Sequence, residues 1–120
     1  VVVFHEAYEV DIGPHVFPTR KYRLVRERLL SEGVIREADS MRPEPASDND
    51  LALVHTPEYL SKIATASFTL AERMMLEIPF TPEVREASWL CAGGSILTAR
   101  LALRDGAAVH LGGGFHHAFP

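Results

Sequence analysis

The first four residues, Val1 to Phe4, form an unbroken apolar, largely β-branched run. Such a run reads as a strand buried on both faces, as in parallel sheets. From His5 to Thr19 no period holds, and Gly13-Pro14 and Pro18 break the backbone. A long loop after a buried strand is often functional. From Arg20 to Glu32 the period becomes helical. Tyr22, Val25, Leu29 and Leu30 share one face, Arg23, Arg26, Glu27 and Arg28 cover the rest, and Gly33 sits at the C′ position. Met41 to Pro45, interrupted by two prolines, is at most an edge strand.

Three helix starts follow. Ser47 is placed to cap a short helix with Asp48 and Asp50 in its first turn. Thr56-Pro57-Glu58 repeats the logic with Pro at N1, and Tyr59, Leu60, Ile63 and Ala64 make its buried stripe. Thr81-Pro82-Glu83 opens the longest helix, from Pro82 to about Arg104, which stops at Gly106. Gly93 and Gly94 inside it cost roughly 1 kcal/mol each relative to alanine. Close packing is the expected compensation, because Ala92, Gly93, Ser95 and Ala99 make a small-residue surface. Ala107 to Leu111 is a second buried strand, and Gly112-Gly113-Gly114-Phe115-His116-His117 follows it. Strand, helices, strand and glycine-rich turn imply an α/β fold with parallel strands. Ligands of such sheets bind beyond the carboxyl ends of the strands, where the His5 loop and the glycine turn both fall.

Composition narrows the setting. The 120 residues suit one modest domain, with 47% hydrophobic residues. Twelve Lys and Arg against sixteen Asp and Glu give a net charge of −4, which argues against a nucleic-acid partner. A single cysteine, Cys91, makes no internal disulfide and points to a reducing, cytoplasmic setting. No leader or membrane span is expected, because the opening apolar run is too short for either.

The sharpest chemical feature is the adjacent pair His116-His117 behind three glycines. A lone histidine is more often packed or solvated than catalytic, and most glycine runs are plain turns. A pair at a strand end can titrate as a coupled unit, with one ring neutral as a base. Consecutive residues in extended backbone point opposite ways, so a shared metal is the rarer arrangement. A phosphate loop is not indicated, since neither GxGxxG nor Gly-Lys-Ser/Thr is present.

Gly112 to Ala118 resembles the glycine–histidine–histidine motif of the histone deacetylase family. His55-Thr56-Pro57-Glu58-Tyr59-Leu60 resembles its His-x-x-x-Tyr-Leu segment. Ala92-Gly93-Gly94-Ser95 resembles its glycine-bearing helix, and His15-Val16-Phe17-Pro18 with Lys21-Tyr22 the start of its first long helix. The blocks keep the family order, and the triple glycine looks most like the class IV branch and its bacterial relatives. The resemblance implies the N-terminal part of a three-layer αβα, arginase/deacetylase-type fold, with residues 1–120 the opening stretch of one catalytic domain.

It also implies a zinc-dependent deacylase. The metal would polarise the acyl carbonyl and activate water. His117 would act as general base and then acid, and His116 would hydrogen-bond the water and the transition state. His5, Tyr8, Gly114 and Phe115 would contact substrate, an acylated lysine or other acylated amine. The family's metal ligands lie downstream of the motif, so the stretch alone is expected to bind no zinc and to hydrolyse nothing. Among the remaining residues, a structural role is expected for His55, Tyr59 and His110, a helix-face charge for Arg20 and Lys21, and inert burial for Cys91. A non-catalytic binding module, an acetylpolyamine or small-amide hydrolase, and an arginase-like hydrolase are the alternatives. Two parallel strands with an open edge predict that the stretch self-associates or is marginally stable.

Overall fold

The structure, a computed structural model, describes residues 1–113. Its centre is a three-stranded parallel sheet of β1 (Val2–Val3), β2 (Ser40–Met41) and β3 (Val109–His110), in the order β2-β1-β3. Val2 pairs with Ser40 on one side and Val109 on the other, and Val3 with Met41 and His110. The expected opening strand and edge strand are both present, and the latter spans Ser40–Met41 and ends before Pro43 and Pro45.

Central position explains the burial of Val2, Val3 and Phe4, which are at most 5% exposed. The expectation that the last strand is buried is corrected. Val109 is 54% exposed, because β3 is an edge strand among the described residues and nothing there covers its outer side.

The helices run α1 (Lys21–Ser31), α2 (Asp48–Ala52), α3 (Pro57–Thr65), α4 (Leu70–Leu76) and α5 (Pro82–Asp105). Each capping hydroxyl read from the sequence accepts a backbone N–H: Ser47 from Asp50, Thr56 from Tyr59 and Thr81 from Val84, each at 3.2 Å. Gly33 ends α1 at φ +68°, and Val34 N–H closes the turn on Leu29 O at 2.9 Å. The buried face of α1 is narrower than its periodicity implies. Tyr22 is buried, while Val25 is 45% exposed and Leu29 and Leu30 are half-buried. Arg26, on the inner side, lies with its guanidinium 5.2 Å from the Phe4 ring. In α3, Ile63 is buried and Ala64 is exposed.

Helix α5 is the spine. Val84, Ala87, Leu90 and Leu101 are buried along it, with Gly93 and Gly94 between them. A Cβ at Gly93 would overlap the backbone of Glu44 to Ala46, and one at Gly94 would overlap Tyr8 and His110. The glycines let α5 lie close against the segment after β2 and against the end of β3. That contact offsets their helix-propensity cost. Phe4, Tyr8, Tyr22 and Leu90 form the core cluster, with edge-to-face rings at 6.0 Å for both Phe4–Tyr8 and Tyr8–Tyr22.

Candidate functional site

Parallel order brings the carboxyl ends of β1 and β3 to one edge of the sheet. From β1 the chain enters a single 3-10 turn, Glu6–Tyr8. His5 caps that turn: its Nδ1 accepts the Ala7 N–H at 3.0 Å. Its Nε2 lies 3.1 Å from Arg42, which also pairs with Glu6 at 3.1 Å. The His5 side chain is thus a backbone-fixed, mostly covered group at the strand end, at 15% exposure.

The turn sends Tyr8 inward. It is 1% exposed, the largest fully buried side chain among the described residues, and part of the core cluster. Its hydroxyl lies 2.8 Å from His110 Nε2 and 3.4 Å from the carbonyl of Leu90 in α5. Burial, followed by the neighbouring Cys91 and Tyr22, raises its pKa well above the usual phenol range, so it is a neutral hydroxyl at physiological pH. The same burial pushes Tyr22 up to about 12.

From β3, His110 turns toward α5. Its Nδ1 lies 3.3 Å from Ser95 Oγ, which donates to the Cys91 carbonyl at 3.1 Å. Burial lowers the His110 pKa, which keeps the ring neutral. His110 is thus hydrogen-bonded at both nitrogens, matching the structural role read from its alternation with Val109 and Leu111. Leu111 N–H donates to Val3 O at 3.0 Å, and Gly112 follows with its Cα against the Tyr8 ring, where a Cβ would overlap. Gly113 is the last described residue. Gly114, Phe115, His116 and His117 lie outside the described residues.

Beside this edge lies a mostly apolar cavity of about 320 Å³. Its walls include Tyr8, Phe17, His55, Tyr59, Phe80 and Ala87. His55 and Tyr59 stack with centroids 5.1 Å apart, and His55 Nδ1 is buried without a hydrogen-bond partner among the described residues. Cys91 is half-buried beside the core cluster. Lys21 Nζ sits 3.3 Å above the Phe17 ring. No three His, Cys, Asp or Glu side chains converge as a metal site among the described residues. None of the described helices is long and apolar enough to cross a membrane.

The Tyr8–His110 pair escaped the sequence reading. The sequence assigns Tyr8 a substrate contact and His110 a structural place, and 102 residues separate them. The small side of the contact was visible, since Gly94 and Gly112 supply the space into which both side chains fit.

Comparison with known proteins converges on one family. The histone deacetylase domain matches residues 15–120. A protein of Picosynechococcus sp. is 37% identical over 120 residues, covering 99% of this chain and 40% of the relative. The acetoin utilization protein AcuC of Bacillus subtilis is 33% identical over 132 residues, covering 99% and 34%. Histone deacetylase 2 of Arabidopsis thaliana is 28% identical over 126 residues, covering 97% and 33%. The chain therefore spans two-fifths or less of the length of these relatives. The match runs through the first helix, the glycine-bearing α5 and the glycine–histidine–histidine segment in one continuous block, and the chain belongs to the histone deacetylase family.

Proposed function

We propose that the whole protein is a zinc-dependent deacylase that hydrolyses the amide of an acylated lysine or similar acylated amine. The observation that carries this reading is topological. The parallel order β2-β1-β3 puts the backbone-fixed His5 turn and the end of β3, which His116-His117 follow in sequence, at one carboxyl edge. That edge is where α/β sheets bind their ligands.

In this reading His117 takes a proton from the attacking water and returns it to the departing amine. His116 donates a hydrogen bond to the developing oxyanion. Gly112 lets the chain pass close over Tyr8 just past the strand end, four residues before His116 in sequence. Gly114 and Phe115, directly before the pair, would line the acyl group, and His5 would stand at the mouth. A zinc ion would supply Lewis acidity at the acyl carbonyl. By the family resemblance, its ligands would lie downstream of the histidine pair.

The test is hydrolysis of acetyl- and longer acyl-lysine peptides by the full-length gene product, supplied with zinc, beside His117→Ala. Turnover by the wild type that falls at least about 100-fold in the folded variant is the expected result. Equal turnover by both proteins removes His117 from the mechanism. Zinc binding with no turnover of lysine substrates, but turnover of acylated polyamines, moves the substrate class and leaves the reaction in place.

A further inference from the structure

A run of three glycines is a soft platform for a catalytic pair, because glycine populates many backbone conformations at little steric cost. The sheet gives it limited support. β3 is two residues long, and its last described ladder bond is Leu111 N–H to Val3 O. Beyond Leu111 the start of the glycine run is fixed by side chains. The Tyr8 ring fills the space over Gly112, and Tyr8 and Ser95 hold the two nitrogens of His110.

The hydrogens of this network can be counted. Ser95 gives its proton to Cys91 O, so its oxygen accepts Nδ1–H of His110. Nε2 is then bare and accepts the Tyr8 hydroxyl at 2.8 Å. In this tautomer the single Tyr8 proton lies on the 2.8 Å line to His110 and not on the 3.4 Å line to Leu90 O, and the chain ends on α5 through Ser95 and the Cys91 carbonyl. Gly94 is the matching recess in α5, since a Cβ there would overlap both His110 and the Tyr8 oxygen. The groups that face His110 are thus Tyr8 from the 3-10 turn and Ser95 and Gly94 from α5. No charged side chain among the described residues hydrogen-bonds or ion-pairs with it.

The geometry points to Tyr8 and His110 as positioning residues of the hydrolysis: together they pin the end of β3 to α5, so that the glycine segment starts toward His116-His117 from one fixed place. This rests on the deacylase reading, because only a reaction at the histidine pair makes the placement matter. A misplacement of about 1 Å can cost on the order of 100-fold in rate, so loss of the pin reads in kcat rather than in substrate affinity.

The test uses the full-length zinc-loaded protein with Tyr8→Phe, His110→Ala and His110→Gln, and two readouts. The first is acyl-peptide hydrolysis. Tyr8→Phe keeps the ring against Gly112 but removes the 2.8 Å bond, and kcat is expected to fall about 10- to 100-fold with KM little changed. His110→Gln, whose amide reaches the Nε2 position, is expected to recover part of what His110→Ala loses. The second is histidine-selective ¹⁵N NMR, in which Tyr8→Phe is expected to shift the ring resonances of His116 and His117. Unchanged kcat and unmoved resonances in a folded Tyr8→Phe protein overturn the inference, as does a rise in KM at constant kcat. If the wild type hydrolyses no acylated amine, the deacylase reading fails, and the ¹⁵N spectra alone decide the positioning. If His110→Ala does not fold, Tyr8→Phe and His110→Gln decide it.

Discussion

Replacing Gly93 by alanine tests whether α5 is held close by design. On an open helix surface the change would stabilise by about 1 kcal/mol, because alanine is the better helix former. Here the new Cβ would overlap the Glu44 carbonyl oxygen and lie 2.9 Å from Ala46 N and 3.0 Å from Pro45 C. All three are backbone atoms, and the segment is stiffened by Pro43 and Pro45, so no side chain can swing aside. Overpacking of this kind costs about 1–3 kcal/mol. If the segment retreats instead, Ala46, which is 6% exposed, loses its N–H bond to Trp89 O at 3.0 Å. Stranding that donor costs about 1–3 kcal/mol. By either route the net expectation is destabilisation by up to about 2 kcal/mol, after subtracting the propensity gain. Urea unfolding of the whole protein reads it as a lower midpoint at unchanged slope. Gly113→Ala is the control, since a Cβ there meets nothing within 4 Å and its effect on stability should stay within about 0.5 kcal/mol. A raised midpoint for Gly93→Ala would show that propensity outweighs contact and would refute the reasoning.

Three further outcomes are expected. Thr81→Ala removes the hydroxyl that accepts Val84 N–H at the start of α5, and should lower unfolding free energy by about 1 kcal/mol in a denaturant titration. The Glu72 carboxylate, bonded to Lys62 and to Thr69, is held near pH 2 against an ordinary value of 4.5. Its contribution is therefore present above about 4.5 and is lost as pH falls toward 2, so amide exchange in α4 should accelerate over that window and Glu72→Gln should abolish the dependence. The 120-residue stretch alone leaves Leu53, Leu70, Met74 and Leu103 each more than 70% exposed, beside the uncovered flank of β3. It should sediment as oligomers at micromolar concentration, and a stable monomer would count against this.

What the sequence disclosed followed from how local each signal is. The caps at Ser47, Thr56 and Thr81 were legible because a capping bond spans three residues. Helix α4 was missed, although Thr69 and Glu72 form a capping box. Its seven residues show too little periodicity, and Leu70, Met74 and Met75 are exposed rather than turned to a core. The face of α1 was overestimated for the opposite reason. Val25 has the right spacing, but spacing states which residues share a side and not whether anything packs there.

The same distinction governs the site. The glycine–histidine–histidine segment was legible because its residues are contiguous, and strand order alone gave the sheet edge at which β3 hands over to Gly112. Its support was not legible, because no local rule joins positions 8 and 110. Tyr8 follows an irregular loop start and His110 lies in a short strand, and each has an ordinary local explanation. Only parallel pairing of β1 with β3, with α5 laid across both, brings them within 2.8 Å. The two glycines that admit them appear in the sequence as a helix flaw and as part of a turn. Read together, Gly94 and Gly112 mark the two walls of one recess. A buried glycine in a helix and another just past a strand end therefore point to a bulky partner between them. Here that partner is a neutral tyrosine, with the His110 ring it bonds beside it, and the histidine pair follows directly in the chain.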